Sequence, residues 1–294
     1  MKYNVDNAII MAAGLSSRFA PLSYEQPKAL VSVKGEILIE RQIRQLHEVG
    51  ITDIFIVVGY KKEQFYYLEE KFNVKIIENP EYETRNNNSS IYAVRKYLKN
   101  SYICSADNYF PTNPFEKIVD ESYYSAIYAD GPTNEWCLTY DDSNWITDVQ
   151  IGGTNQWFML GHVFWSEDFS EKFISILEEI YNKPSTADKL WESIYIDYIH
   201  MLKMKIRKYD ASQIFEFDTL DELRQFDSSY YDDTRSKIIR ECAKQIGCHE
   251  NELFHFEPLK NPMGQVTGVA FQHREDNYQY DYSSHILNKS TTDK

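Results

Sequence analysis

Cysteine is scarce in this chain. Four occur in 294 residues (Cys104, Cys137, Cys242 and Cys248), with no CxxC pair and no histidine at zinc-ligand spacing. Nothing in their spacing marks a disulfide framework. Cys242 and Cys248, six apart without a second pair, do not predict a metal site, and reduced thiols in a cytoplasmic protein are the expectation. Long apolar runs are missing too. No stretch approaches the roughly 18 residues of a membrane span, and the opening MKYNVDN enters a predicted strand with no signal-like segment. A soluble intracellular protein is expected. Positive charge is in deficit: 31 Lys and Arg against 45 Asp and Glu give a net charge of −14, which argues against general binding of nucleic acid or anionic membrane. Internal repeats and long linkers are absent. Rings are abundant. The chain has 23 Tyr, 16 Phe and 5 Trp and is 43% hydrophobic, enough for a packed core with a minority of rings left to line a pocket.

Strand and helix signals alternate through the first half. Ala8–Ala13 reads as a buried strand. Residues 36–49 follow with Ile39, Ile43, Leu46 and Val49 at helical spacing and Gly50 as the stop. Residues 53–59 are a second strand, 61–71 a charged helix, 74–77 a short strand, 89–98 a helix and 102–105 a strand ending at Asp107. This βαβα series predicts an α/β fold with a mostly parallel, Rossmann-like sheet and helices on both faces. Ligands of such sheets lie beyond the C-terminal strand ends, where Gly14 and Asp107 both fall. Residues 123–129, 136–140, 146–151 and 157–165 read as extended, a strand-rich insertion with a turn at 141–144. Residues 168–181 and 186–202 read as helices, and 206–209 and 214–217 as strands. After residue 228 a small α+β extension follows: a helix at 234–247, then strands to Tyr282. The expected division is 1–228, 229–282 and a disordered polar tail, 283–294.

The loop after the first strand, Met11-Ala-Ala-Gly-Leu-Ser-Ser-Arg18, is neither a GxxxxGK[ST] loop nor GxGxxG, because serines stand where glycines would be. Small side chains still let a ligand approach the main chain, and successive N–H groups can cradle phosphate oxygens. Arg18 and Lys28 add two cations. An ordinary strand end with two surface cations fits the same residues. Asp107 suits Mg²⁺, which takes hard oxygen ligands, or a helix N-cap.

Read together, these residues carry a resemblance. Met11–Arg18, Pro21-Leu22 and Pro27-Lys28-Ala29-Leu30 resemble the signature of nucleotidyltransferases that make diphosphonucleotides of sugars and alcohols. Gly59–Phe65, Asn86–Tyr92, Ala106–Tyr109 and Thr133–Trp136 narrow it to the bacterial CTP:phosphocholine cytidylyltransferases, over roughly residues 5–228. Residues 235–282 weakly resemble the opening of a choline-kinase N-lobe, with nothing like the later kinase segments after it.

The resemblance implies the nucleotide-diphospho-sugar transferase type of fold. It implies CTP and phosphocholine as substrates and in-line attack of a phosphomonoester oxygen on the α-phosphorus with loss of pyrophosphate. Lys28 would meet the α- or incoming phosphate and Arg18 the β/γ-phosphates. Ala12, Ala13, Gly14, Leu15, Ser16 and Ser17 would hold the nucleotide, and Asp107 and Asp218 the Mg²⁺. Asp218 reads as a strand end, with Glu216 on its face. Asn87, Asn88 and Ser89 open a helix, Asn88 or Ser89 as its cap, and the resemblance adds contacts to cytosine or ribose. A quaternary ammonium donates no hydrogen bonds and is met by ring faces and carboxylates. Glu135-Trp136 and Trp191-Glu192 supply that pairing twice, with Trp157 and Tyr128 as further candidates. His162 reads as a satisfied core histidine. Rival acceptors are 2-aminoethylphosphonate, another phosphorylated amino-alcohol or a sugar 1-phosphate. A non-catalytic nucleotide sensor on the same fold is the alternative from a different class. Oligomeric state is not legible.

Overall fold

Four apolar residues in a row leave a strand no polar face, so it belongs in the middle of a sheet covered on both sides. That is where Asn7–Ala12 (β1) lies, with Ala8, Ile9 and Ile10 fully enclosed. The computed structural model describes residues 2–290. The chain divides into two units, Met1–Gly14 with Leu38–Glu216 and Leu15–Ile37 with Phe217–Lys294.

The first unit carries β1, Ile54–Val58 (β2), Lys75–Glu78 (β3), Ser101–Ser105 (β4), Tyr123–Tyr140 (β5), Ile146–Trp165 (β6) and Lys205–Lys208 (β7). They form one seven-stranded sheet in the order β7-β5-β6-β4-β1-β2-β3. Pairing is parallel from β4 through β3 and between β7 and β5, and antiparallel on both sides of β6. The mostly parallel sheet is as expected. The helices are Leu38–Glu48 (α1), Tyr67–Phe72 (α2), Asn88–Val94 (α3), Glu167–Ile180 (α4) and Trp191–Asp197 (α5). Ile9, Phe55, Ile103 and Trp165 form one buried cluster with Ile91 of α3, Phe173 and Leu177 of α4 and Trp191 of α5. Ile10, on the other face of β1, is buried outside that cluster, as are Ile39, Ile43 and Leu46 of α1.

Three local expectations change. The four extended segments of the middle are two continuous strands, β5 and β6, a bulged antiparallel ribbon. At one bend Gly161 has φ +106, and a Cβ there would stand 2.8 Å from Ile214 Cδ1. The helix expected over 186–202 shortens to α5, because the Trp191 N–H is capped from outside by Asn87 Oδ1 at 2.7 Å. Residues 214–217 are not a strand. Phe215 makes one bridge to Tyr109, itself in a loop.

The second unit holds Leu220–Phe226 (α6), Lys237–Ile246 (α7) and a four-stranded antiparallel sheet of Leu253–Lys260 (β8), Val266–His273 (β9), Asp276–Asp281 (β10) and Leu287–Ser290 (β11) in chain order. The boundary therefore falls at 216/217 and not at 228, and residues 15–37 join the C-terminal part. Backbone ties explain this. Tyr230 Oη and Arg235 Nη1 donate to the Ser32 carbonyl at 2.6 and 2.9 Å. The Lys34 and Lys237 N–H groups donate to Asp227 Oδ2 and Glu25 Oε1, both at 2.7 Å. The Tyr24 and Tyr282 rings stack at 3.9 Å. The expected disorder from 283 is corrected as far as 290, since β11 pairs with β10. Backbone pairing along a strand edge does not require apolar side chains. Residues 291–294 lie outside the described residues.

Candidate active site

In the first unit the end of β1 is framed by the ends of its two parallel neighbours. Tyr60, after β2, donates its N–H to the Ala13 carbonyl at 3.1 Å, and Ala106, after β4, donates to the Met11 carbonyl at 3.1 Å. Ala12 and Ala13 are buried and Gly14 is exposed. A Cβ on Gly14 would meet nothing within 4 Å, so the protein's own packing does not demand glycine here.

Asp107 is half-buried in the turn two residues beyond β4. Its loop is gripped through carbonyl oxygens by α1. Gln42 Nε2 donates to Ser105 O and Asn108 O at 2.8 and 2.9 Å, Gln45 Nε2 to Phe110 O at 2.9 Å, and Arg41 Nε to Phe110 O at 2.9 Å. None of these bonds uses the Asp107 carboxylate.

The second unit assembles the cations. Ser16 adopts φ 49, a left-handed residue that turns the chain into a 3₁₀ turn over Ser17–Phe19. Leu15 is exposed. Arg18 Nη1 lies 2.7 Å from Asp218 Oδ2, and Lys28 Nζ lies 3.6 Å from Asp218 Oδ1. Arg18 is largely in solvent, whereas the Lys28 side chain is only 4% exposed. An ammonium so enclosed is costly unless an anion answers it, and Asp218 is one carboxylate beside two cations. Asp218 precedes a helix and does not end a strand. Its N–H donates to Glu222 Oε2 at 2.7 Å, and the Thr219 capping box fixes the start of α6 directly after it. Glu216 is not on a shared strand face with it; it accepts from Asn108 Nδ2 at 3.4 Å within the first unit. An oxygen-only donor set with nearby cations fits Mg²⁺ carried on a polyphosphate.

The asparagine cluster is spent on holding the protein together. Asn88 is fully buried, and its Nδ2 donates to the carbonyls of Thr186 (3.0 Å) and Lys189. Ser89 Oγ donates to Asn86 O and accepts from Asn79 Nδ2, both at 2.8 Å. The expected base contacts from these two side chains are therefore corrected to a packing role, and neither caps α3, whose cap position is Asn87, with no side-chain capping bond. Asn87 joins α3 to α5: its Oδ1 takes the Trp191 N–H, and its Nδ2 donates to Glu192 Oε2 at 3.1 Å.

Neither Glu-Trp pair acts as a pair. Adjacent strand residues point to opposite faces, so Glu135 is exposed while Trp136 packs against the core cluster. Trp191 is 1% exposed, edge-on to Trp165 and Phe173 and stacked on Tyr124. The expectation that it offers a face to a ligand is corrected to a core role. Glu192, one step round the helix, is half-buried between Asn87 and the Tyr124 hydroxyl at 3.4 Å. Burial pushes its pKa up to about 7 against the pull of the Asn87 hydrogen bond and then of Tyr124. Tyr124 is the partner that sequence reasoning missed. Nothing in a Tyr123-Tyr124 strand opening distinguishes it from a core ring. Trp157 lies edge-on to the exposed Tyr128. His162 is the satisfied core histidine expected: fully buried, 2.8 Å from Tyr123 Oη, its pKa driven down to about 3 by burial.

Residues 8–132 match the MobA-like NTP transferase domain. The chain is 38% identical over 220 residues to the choline-phosphate cytidylyltransferase of Streptococcus pneumoniae, covering 75% of this chain and 96% of that protein. It is 37% identical over 228 residues to the 2-aminoethylphosphonate cytidylyltransferase of Lancefieldella rimae, covering 76% and 93%. The solved structure of the CTP:phosphocholine cytidylyltransferase from Streptococcus pneumoniae superimposes with a TM-score of 0.73 over 76% of this chain and 98% of that one. With a glycine turn at a parallel strand end, a lysine and arginine around one aspartate, and this similarity along three quarters of its length, the chain belongs to the choline-phosphate cytidylyltransferase family of nucleotidyltransferases.

Proposed function

We propose that this enzyme transfers CMP from CTP to phosphocholine, releasing pyrophosphate. An acceptor phosphate oxygen bonds to the α-phosphorus of CTP as the bond to the β-phosphate oxygen breaks. The acceptor is already an anion near neutral pH, its second pKa being about 6, so no general base is required. Alignment and charge neutralisation carry the rate. Lys28 and Arg18 meet phosphate oxygens, and the backbone of Ala13–Ser17 lies along the triphosphate. Asp107 and Asp218 are each proposed as an Mg²⁺ ligand, and Mg²⁺ would supply charge neutralisation on the phosphates.

The observation that carries the acceptor assignment is Glu192. Its carboxylate already accepts from Asn87 and Tyr124, leaving about two of its four lone-pair sites against the three donors of a primary ammonium. A quaternary ammonium needs only the charge and the ring beside it. The near-equal identity to a 2-aminoethylphosphonate enzyme makes that acceptor the second reading.

Pyrophosphate release from each nucleoside triphosphate, crossed with phosphocholine, 2-aminoethylphosphonate and glucose 1-phosphate with and without Mg²⁺, tests both. CTP with phosphocholine is expected to lead by at least about tenfold in kcat/KM, a difference of ~1.4 kcal/mol. A lead for the phosphonate transfers the assignment to it, and no turnover with any pair returns the protein to nucleotide sensing. Asp107→Asn should abolish turnover with the circular dichroism spectrum unchanged.

A further inference from the structure

The second unit brings His273 to Cys248 and Glu252, from which more than twenty positions of sequence separate it. Helix α7 ends at Gly247 with φ +82, and the Cys248 N–H turns back to the Ala243 carbonyl at 3.0 Å, reversing the chain. A 3₁₀ turn over Glu250–Glu252 runs directly into β8, whose first residue, Leu253, pairs with His273 at the end of β9. The buried Arg224 secures this junction, donating to Leu253 O at 2.6 Å and Glu250 O at 2.9 Å. As a result one Cys248 thiol, one Glu252 carboxylate oxygen and one His273 ring nitrogen lie within 4.8 Å of one another.

His273 supplies the observation that gives this cluster meaning. Its side chain is 10% exposed, and its buried Nε2 has no hydrogen-bond partner. Glu252 Oε2 stands at 3.6 Å, too long for a hydrogen bond. A buried polar nitrogen without a partner costs about 1–3 kcal/mol. Two ligands on a tetrahedral Zn²⁺ at nitrogen and oxygen distances are about 3.4 Å apart, so Nε2 and Oε2 already stand near the separation a shared ion imposes. Glu252 Oε1 is held by the His249 N–H at 2.9 Å, which fixes the carboxylate plane. The other groups facing the cluster are Arg274, 3.5 Å from Glu252 Oε2, and the Tyr278 ring beside His273.

We propose that Cys248, Glu252 and His273 form a zinc-type metal site, with a solvent oxygen as fourth ligand, that pins the end of α7 to the end of β9. Thiolate, imidazole and carboxylate are the donors of borderline-soft divalent metals and not of Mg²⁺. Binding replaces the thiol S–H by an S–metal bond and releases the proton to solvent. A thiolate and a carboxylate offset the charge of the ion, and Arg274 stays with the carboxylate.

The full chain, stripped with chelator, is titrated with Co²⁺ and Zn²⁺. One equivalent is expected to survive dialysis, with a thiolate-to-cobalt charge-transfer band that Cys248→Ser abolishes and Cys242→Ser leaves in place. In the unmutated chain, Zn²⁺ should slow iodoacetamide labelling of Cys248 at least about tenfold while leaving Cys104 and Cys137 unaffected, read by peptide mass spectrometry. Equal labelling of Cys248 with and without Zn²⁺, or a cobalt band that survives Cys248→Ser, overturns the site. The labelling arm uses no variant, so a folding defect cannot hide the answer. Neither readout responds to metal held by aspartates on a nucleotide.

Discussion

A carboxylate whose pKa has risen to about 7 is half-neutral where the cell works, and a neighbouring cation would draw it back toward the anion. Glu192 is such a group. Below about pH 7 it carries a proton and offers a quaternary ammonium little; above, it is charged. The KM for phosphocholine is therefore expected to fall as pH rises from 6 to 8, by about tenfold (~1.4 kcal/mol), within the range of a partly desolvated cation contact. In Glu192→Gln only the acceptor phosphate's own titration near 6 should remain; an unchanged profile in the variant would remove Glu192 from the acceptor subsite. Stability has its own sign. The folded pKa lies above the ordinary value, so this group's contribution is present at low pH and lost as pH rises toward and through 7. Glu192→Gln should accordingly melt higher than the parent at pH 8 and not at pH 4.5. Glu192 was legible in the sequence as a carboxylate beside a Trp, but its partners were not. Asn87 lies more than a hundred positions away, and only the fold says that its amide is spent on α5. Asn88 and Trp191 misled for the same reason: residue type signals what a side chain can do, and burial decides whether it is free to do it.

Elements were easier to read than their ends. The alternation of apolar runs and helical spacing gave β1, β2, β4, α1 and α4 to within a residue or two, because each is closed by Gly, Pro or a polar turn. The β5–β6 ribbon read as four strands, since bulges interrupt the two-residue period without interrupting the backbone. Hidden altogether was the work of α1. Its apolar spacing says nothing of its polar residues, yet Arg41, Gln42 and Gln45 reach the carbonyls of the loop that carries Asp107. Gln42→Leu leaves two carbonyls, Ser105 O and Asn108 O, without that donor, at a cost of about 1–3 kcal/mol each where buried. Thermal melting should fall by about 2–4 °C per kcal/mol. If the clamp positions Asp107, kcat should drop at saturation in both substrates, measured at a temperature where the variant is fully folded. An unchanged kcat with a lowered Tm would reduce the clamp to a purely structural tie.

At the scale of the whole chain, the sequence suggested an enzyme domain with an appendage, and the division proved different. Arg18, Lys28 and Asp218 all belong to the unit that contains the C-terminal sheet. Their segment is braced there through Ser32, Glu25 and Tyr24. The braces were illegible because each joins residues about two hundred positions or more apart, and two act on a single backbone carbonyl, Ser32 O, that no side-chain pattern reveals. The metal cluster was missed likewise, its third ligand arriving by strand pairing. Deleting residues 234–294 is expected to raise the KM for CTP and lower kcat/KM for CTP by about tenfold or more. The milder Arg235→Ala/Tyr282→Ala double variant should move the same parameters in the same direction. In both, the KM for phosphocholine should move far less, since Glu192 belongs to the other unit; equal losses for the two substrates would deny the braces a specific role.

One consequence concerns birth on the ribosome. Arg18 and Lys28 are synthesised before Tyr230, Arg235 and Tyr282, which follow roughly 10–50 s later at ordinary translation speeds. The parallel sheet has its strands in hand well before then. A nascent chain thus carries a formed scaffold while the segment of Arg18 and Lys28 still waits for its braces, and cleavage ahead of Tyr230 would leave that segment unbraced.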